Sequence, residues 1–173
     1  MPFLLTADQS NAGMVDLGRV TLLTKPLAMQ HSARVVARAA GGRLDSVLIA
    51  DDDGDVRRIL AETLSAAGCR IDTAVDGSEA VTRLAASPPT VLVVDLLLAG
   101  ADAIFTLARL RADPELRDTP VVAMLPAELS AEESARLEQA CRTASNDSTL
   151  HREPLAELIR DATGAAFEGA VGD

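Results

Sequence analysis

The chain has 173 residues, 48% hydrophobic and 24% charged, which is enough apolar material for one sizeable core and too much for a disordered chain. Its net charge of −10 is uneven, because residues 1–44 carry five basic and two acidic side chains, a balance of +3, and leave −13 on residues 45–173. So acidic a body repels phosphate backbones and anionic lipid, which excludes nucleic acid and a membrane surface as its partners; only the N-terminal segment could bind either.

The first residues, Met1-Pro2-Phe3-Leu4-Leu5-Thr6-Ala7-Asp8, lack the basic region and the apolar length of a signal peptide. No run approaches the roughly 20 apolar residues that span a bilayer, since Asp95 and Asp102 interrupt the longest one. A cytoplasmic protein is expected. Val20 to Leu23 can pair as a strand and Pro26 to Ala40 can form a helix, with Ala39-Ala40-Gly41-Gly42 as a joint. Residues 1–44 are nevertheless read as an N-terminal extension, mobile or docked on the acidic body, and no internal repeat is read.

From residue 45 the pattern alternates strand and helix. Val47-Leu48-Ile49-Ala50 is a short apolar run of the kind buried on both faces of a parallel sheet, and it ends in Asp51-Asp52-Asp53. Val56, Ile59, Leu60, Leu64 and Ala67 recur at helical spacing, and Gly68 stops that helix. Cys69 to Val75 predicts a second strand and Ser78 to Ala86 a second helix, ended by Pro88-Pro89. The third strand, Val91-Leu92-Val93-Val94, ends in Asp95. A helix over about Asp102 to Arg111 follows, then a strand over Val121 to Leu125 and a helix opened by the capping box Ser130-Ala131-Glu132-Glu133. A fifth strand near Ser148 to His151 and a helix begun by Pro154 complete five pairs, with a tail over 164–173. Cys69 and Cys141 lack a metal or redox spacing and read as free thiols.

Five strand–helix pairs make an α/β, doubly wound parallel sheet. The acids then stand at the carboxyl ends of two neighbouring strands, in the crevice where such sheets bind ligands. Taken alone, Asp51-Asp52-Asp53 reads first as a solvated turn with one acid capping a helix, and it is Asp95 at the next strand's end that favours a pocket.

Val47 to Arg57, Asp76-Gly77, Asp95 with Gly100 and Asp102, Thr119-Pro120, and Leu155-Ala156-Glu157-Leu158 together resemble the receiver domain of bacterial response regulators, over about residues 45–163. The resemblance implies five strands in the order 2-1-3-4-5. It implies that Asp95 accepts a phosphoryl group from a sensor histidine kinase or phosphotransfer protein. It further implies that Asp52 directly, Asp51 through water, Asp95 and the backbone carbonyl of Leu97 hold a weakly bound magnesium ion. Hard cations with oxygen ligands neutralise such clustered carboxylates.

The sequence departs from that family where the chemistry is completed. Thr119-Pro120 places Leu125 at the position of the family's switch hydroxyl. Anchoring on Leu155 to Leu158 places His151 at the strand-five lysine and Ser148 at the usual aromatic. The only lysine in the chain is Lys25, so the lysine reads as lost. The expectation is a stand-alone receiver-like signalling protein, not an enzyme, with an acid pocket and a degenerate switch. It would bind a downstream protein through helix four, strand five and helix five, with room for a homodimer. One alternative is a pseudo-receiver that signals by binding alone. Another is a haloacid-dehalogenase-like phosphatase, because Asp51-Asp52-Asp53-Gly54 fits a DxDG signature with Asp51 as nucleophile and Asp53 as acid/base.

Overall fold

The computed structural model describes residues 16–17, 20–25, 28–98, 102–126 and 128–144. Its elements run β1 (Asp16–Leu17), β2 (Val20–Lys25), α1 (Met29–Ala39), β3 (Ser46–Ala50), α2 (Gly54–Ser65), β4 (Arg70–Ala74), α3 (Gly77–Ala86), β5 (Val91–Asp95), α4 (Asp102–Ala112), β6 (Val121–Pro126) and α5 (Ala131–Ala144).

The sheet order is β1-β2-β6-β5-β3-β4. Five of these strands, β2 to β6, are parallel, and the two-residue β1 lies antiparallel to β2 at one edge. Side chains alternate across the sheet because a strand has a period of two. Leu23, Val47, Ile49, Val91, Val93, Val122 and Met124 therefore meet Val35 and Val36 of α1 and Leu60 and Leu64 of α2 on one face. Leu22, Leu48, Ala50, Leu92, Val94, Val121, Ala123 and Leu125 meet Leu84, Ile104, Leu107, Leu110 and Leu137 of α3, α4 and α5 on the other. With helices on both faces, the continuous apolar strands expected of a doubly wound sheet are what the chain supplies.

The order expected for the parallel sheet is present, but its fifth place is filled from the other end of the chain. β2 pairs in parallel with β6 from Val20 against Val121 to Lys25 against Pro126. Leu22 and Leu23 are both buried, one on each face, so the segment read as an extension supplies a core strand. Helix α1 follows it onto the face of α2. The strand expected near Ser148 to His151 and the helix begun at Pro154 lie outside the described residues.

Local chemistry sets the helix starts near the site. Asp53 caps α2 by accepting from the amides of Asp55 and Val56, and Asp76 caps α3 by accepting from that of Glu79. The expected capping box of α5 forms: the Ser130 hydroxyl accepts from the Glu133 amide, and the Glu133 carboxylate from the Ser130 amide. Gly68, with φ of +88°, turns the chain out of α2 into β4 in a conformation that side chains rarely adopt.

Candidate functional site

Register puts the acids together. Ala50 of β3 pairs with Val94 of β5, so the next residues, Asp51 and Asp95, leave the sheet side by side at its carboxyl edge. Carboxylate oxygens of Asp51, Asp52 and Asp95 all lie within 4.8 Å of one another, close enough to share one cation. Asp51 is fully buried and Asp95 nearly so, while Asp52 is exposed. Each buried acid is aimed by backbone: Asp51 Oδ1 accepts from the Asp53 amide, and Asp95 Oδ1 from the Leu97 amide, both at 2.9 Å.

The remaining oxygens share a lysine. Nζ of Lys25 donates to Oδ2 of Asp51 and to Oδ2 of Asp95, each at 3.1 Å. Lys25 ends β2, which β6 separates from β5, so its side chain reaches across two inter-strand spacings, about 9.6 Å, to the end of β5. The loss of the lysine expected from the sequence is thus corrected: the chain's one lysine stands in the acid cluster. Its signal was in the sequence, since Val20 to Thr24 is a third apolar run that ends in a charged residue. What hid it was its place in the chain, 101 residues before Pro126, its register partner in β6.

Burial works against the lysine's charge, but the carboxylates of Asp95 and Asp51 and their hydrogen bonds outweigh it and hold its pKa above the ordinary value of 10.5. Asp51 moves the other way in energetic terms. Burial first, then the charge of Asp95, raise its pKa above 3.8, and the Asp53 amide and Lys25 offset this only in part. One ammonium shared by two carboxylates explains both directions: the cation gains two partners, and each acid gains half of one. With Asp52 the cluster holds three carboxylates against one ammonium, so it stays short of positive charge by two units, which suits a divalent ion.

The other expected residues divide. Leu125 is buried among apolar residues of the α3–α5 face and carries no hydroxyl. Ser148 and His151 lie outside the described residues. Asp53, required as acid/base by the phosphatase alternative, has its carboxylate on the first amides of α2, and nothing supports that alternative. Arg57, which no sequence motif singles out, donates from Nη1 to the backbone oxygen of Asp51 at 2.6 Å and so braces the turn that carries the acids.

The model of the response regulator receiver domain family matches residues 47–159. Among curated proteins, the chain is 34% identical over 116 residues to the phosphate regulon transcriptional regulatory protein PhoB of Rhizobium meliloti, covering 67% of this chain and 49% of that one. It is 30% identical over 76 residues to protein PilG of Pseudomonas aeruginosa, covering 44% of this chain and 56% of that one. The chain thus spans about half the length of these relatives. Among solved structures, it is similar to the N-terminal domain of a response regulator receiver protein from Methanoculleus marisnigri, at 25% identity and a TM-score of 0.47 over 71% of this chain and 99% of that one. It is also similar to the chemotaxis protein CheY4 of Vibrio cholerae, at 22% identity and a TM-score of 0.47 over 69% of this chain and 99% of that one.

Proposed function

The chain belongs to the response regulator receiver domain family, and from that premise we propose that it accepts a phosphoryl group on Asp95 within a two-component signalling system. The observation that carries this reading is the meeting of Asp95 with Asp51, Asp52 and Lys25 at the carboxyl edge of the sheet. A carboxylate oxygen of Asp95 attacks phosphorus, the bond from phosphorus to the donor's imidazole nitrogen breaks, and its electron pair leaves with that nitrogen. The protein contributes position and positive charge, because charge in the transition state spreads over the equatorial phosphoryl oxygens.

Asp51, Asp52, Asp95 and the carbonyl of Leu97 fit a magnesium ion: their oxygens are hard donors, and the three side chains lie within reach of one ion. When bound, magnesium neutralises the carboxylates and draws phosphoryl oxygens toward Asp95. Lys25 is placed to follow the charge, leaving Asp51 and Asp95 for a phosphoryl oxygen as the acyl phosphate forms. The reading makes the chain a phosphoryl acceptor from a kinase or phosphotransfer protein, and not an enzyme that turns over substrate.

In this reading the partner face is formed by α5, β2 and α1, where β2 and α1 hold the places expected of the fifth strand and helix. The report to that face is weak. Leu125 offers no hydroxyl, and with Lys25 ending the strand, the position three residues earlier that would be aromatic is Leu22, fully buried among aliphatic side chains. Those two residues favour a second reading as well, in which partner binding proceeds without phosphate.

Incubation with acetyl phosphate or phosphoramidate and magnesium, read by intact mass, tests the proposal. The wild type should gain one phosphoryl group and Asp95→Ala none. Equal masses before and after treatment of the wild type would leave only the second reading.

A further inference from the structure

Asp51 is held at every polar atom. Its amide donates to the Ala74 carbonyl at 3.2 Å, its Oδ1 accepts from the Asp53 amide at 2.9 Å and its Oδ2 from Lys25 at 3.1 Å. The fourth partner is Arg57, on the main-chain oxygen at 2.6 Å. Asp52 differs. It is exposed, and among the described residues its carboxylate accepts no hydrogen bond and joins no ion pair, yet it lies within 4.8 Å of the carboxylate oxygens of Asp51 and Asp95.

The main chain does what side-chain contacts do not. The oxygen held by Arg57 belongs to the planar peptide unit that enters Asp52, and the Asp53 amide held by Asp51 belongs to the planar unit that leaves it. Anchoring both planes fixes the two backbone dihedrals of Asp52, and with them the direction of its Cα–Cβ bond. One of the two anchors is internal to the acid turn. The other is Arg57.

The arginine's own surroundings give no other account of its place. It stands half-buried in the first turn of α2, at the positive end of the helix dipole, where a cation is disfavoured. Its neighbour Arg58 pairs with Asp55 and Glu62, whereas Arg57 has no ion pair within 4.0 Å among the described residues. Its arm instead runs back over the start of the helix, with Nη2 only 3.5 Å from where a Cβ on Gly54 would stand.

We propose that Arg57 is a positioning residue for the divalent ion: by holding the carbonyl of the Asp51–Asp52 peptide, it aims the carboxylate of Asp52 at Asp51 and Asp95. The assignment deepens the reading of Asp95 as a phosphoryl acceptor and rests on it for its functional meaning. Three neighbouring carboxylates repel one another, and the exposed one is the one with room to turn away. A fixed main chain beneath Asp52 limits that freedom. Groups that orient a ligand without touching the metal set the affinity of the site in this way.

Magnesium titration of the full chain, followed by the amide shifts of Asp53 and Leu97, tests the proposal without phosphorylation. Arg57→Met should weaken binding about tenfold or more, and Arg57→Lys, whose ammonium can reach the same oxygen, should stay within about threefold of wild type. A merely structural arginine would matter equally whether or not residue 52 is an acid. In an Asp52→Asn background, Arg57→Met should therefore cost less than about twofold. Equal affinity of Arg57→Met and wild type, an equal loss in both backgrounds, or no rescue by lysine would each overturn the proposal. Should Arg57→Met not fold, Arg57→Gln, whose amide is too short to reach the carbonyl, takes its place in the same cycle with the same expected outcomes. With acetyl phosphate, the magnesium concentration for half-maximal phosphorylation should rise in Arg57→Met while the maximal rate stays within a few-fold. A wild type that binds magnesium but gains no phosphoryl group would overturn the acceptance reading, and the binding cycle would still decide for or against Arg57.

Discussion

Lys25 and Asp95 are 70 residues apart in the chain and 3.1 Å apart in the fold, and the same ammonium reaches Asp51 at the same distance. This pairing brings the chain's one lysine onto two buried carboxylates, and it makes the pocket responsive to anything that competes for them.

Magnesium is the first competitor. Lys25→Met should tighten magnesium binding about tenfold or more, since a unit positive charge about 4 Å from a divalent ion opposes it by up to roughly 8 kcal/mol at an effective dielectric of 20 before screening by salt. Titration calorimetry of wild type and variant measures this. Weaker binding in the variant would mean that Lys25 assembles the site for the ion.

Alkaline pH is the second. The folded pKa of Lys25 is raised, so the stability it contributes is fully present below 10.5 and is lost as pH rises through the folded value. The chain has no tyrosine and no other lysine, which leaves the thiols as the other groups titrating nearby. The difference in urea midpoint between wild type and Lys25→Met should therefore be constant from pH 7 to about 10 and shrink above it. A constant difference up to pH 12 would show that the ammonium has no folded-state advantage.

Asp51 has the opposite sign. Its folded pKa is raised by burial, so its ionised form lowers stability above 3.8, and the loss is relieved as pH falls through the folded value. Asp51→Asn should raise the thermal midpoint at pH 7, with the gain fading in acid, while phosphoryl transfer falls. A lowered midpoint at pH 7 would indicate that the bond to Lys25 outweighs burial.

Asp53 separates capping from chemistry. Asp53→Ala should cost about 0.5–2 kcal/mol in denaturant unfolding, the usual loss of an N-cap, and leave phosphorylation of Asp95 within a few-fold of wild type. Abolished phosphorylation in a folded variant would give Asp53 a role in the pocket.

The switch is tested at the partner face. Beryllofluoride with magnesium should change amide protection along α5 and β2 by less than about tenfold, or 1.4 kcal/mol, because a ligand shifts an equilibrium only through contacts that differ between its states. Leu125 and Leu22 give the phosphoryl mimic no such contacts. A hundredfold change would require another residue to carry the signal, and Lys25 would be the first to examine.

Most of the sheet was legible because its strands announce themselves locally. Val47 to Ala50 and Val91 to Val94 are apolar runs with acids after them, and their register alone brings Asp51 to Asp95. Ser130 and Glu133 declared the start of α5 through side-chain chemistry within four residues. Lys25 was different. Val20 to Leu23 and the following helix were visible as elements, but nothing local says which strand a strand will pair with. The apolar edge of β6 was assigned to the nearer segment because sequence proximity is the usual guide to adjacency. The lysine's role could be seen only when Lys25 was found opposite Pro126.

That same pairing has a consequence for synthesis. Val20 meets Val121, 101 residues later, whereas Val47 meets Val91 after 44. At about 5–20 residues per second, β2 waits roughly 5–20 s for the strand that will cover it. Through that interval Leu22 and Leu23 have no sheet to join, and the central strands β3, β4 and β5 are complete before the edge can close. Closing it is then a long-range step, late in folding and slow.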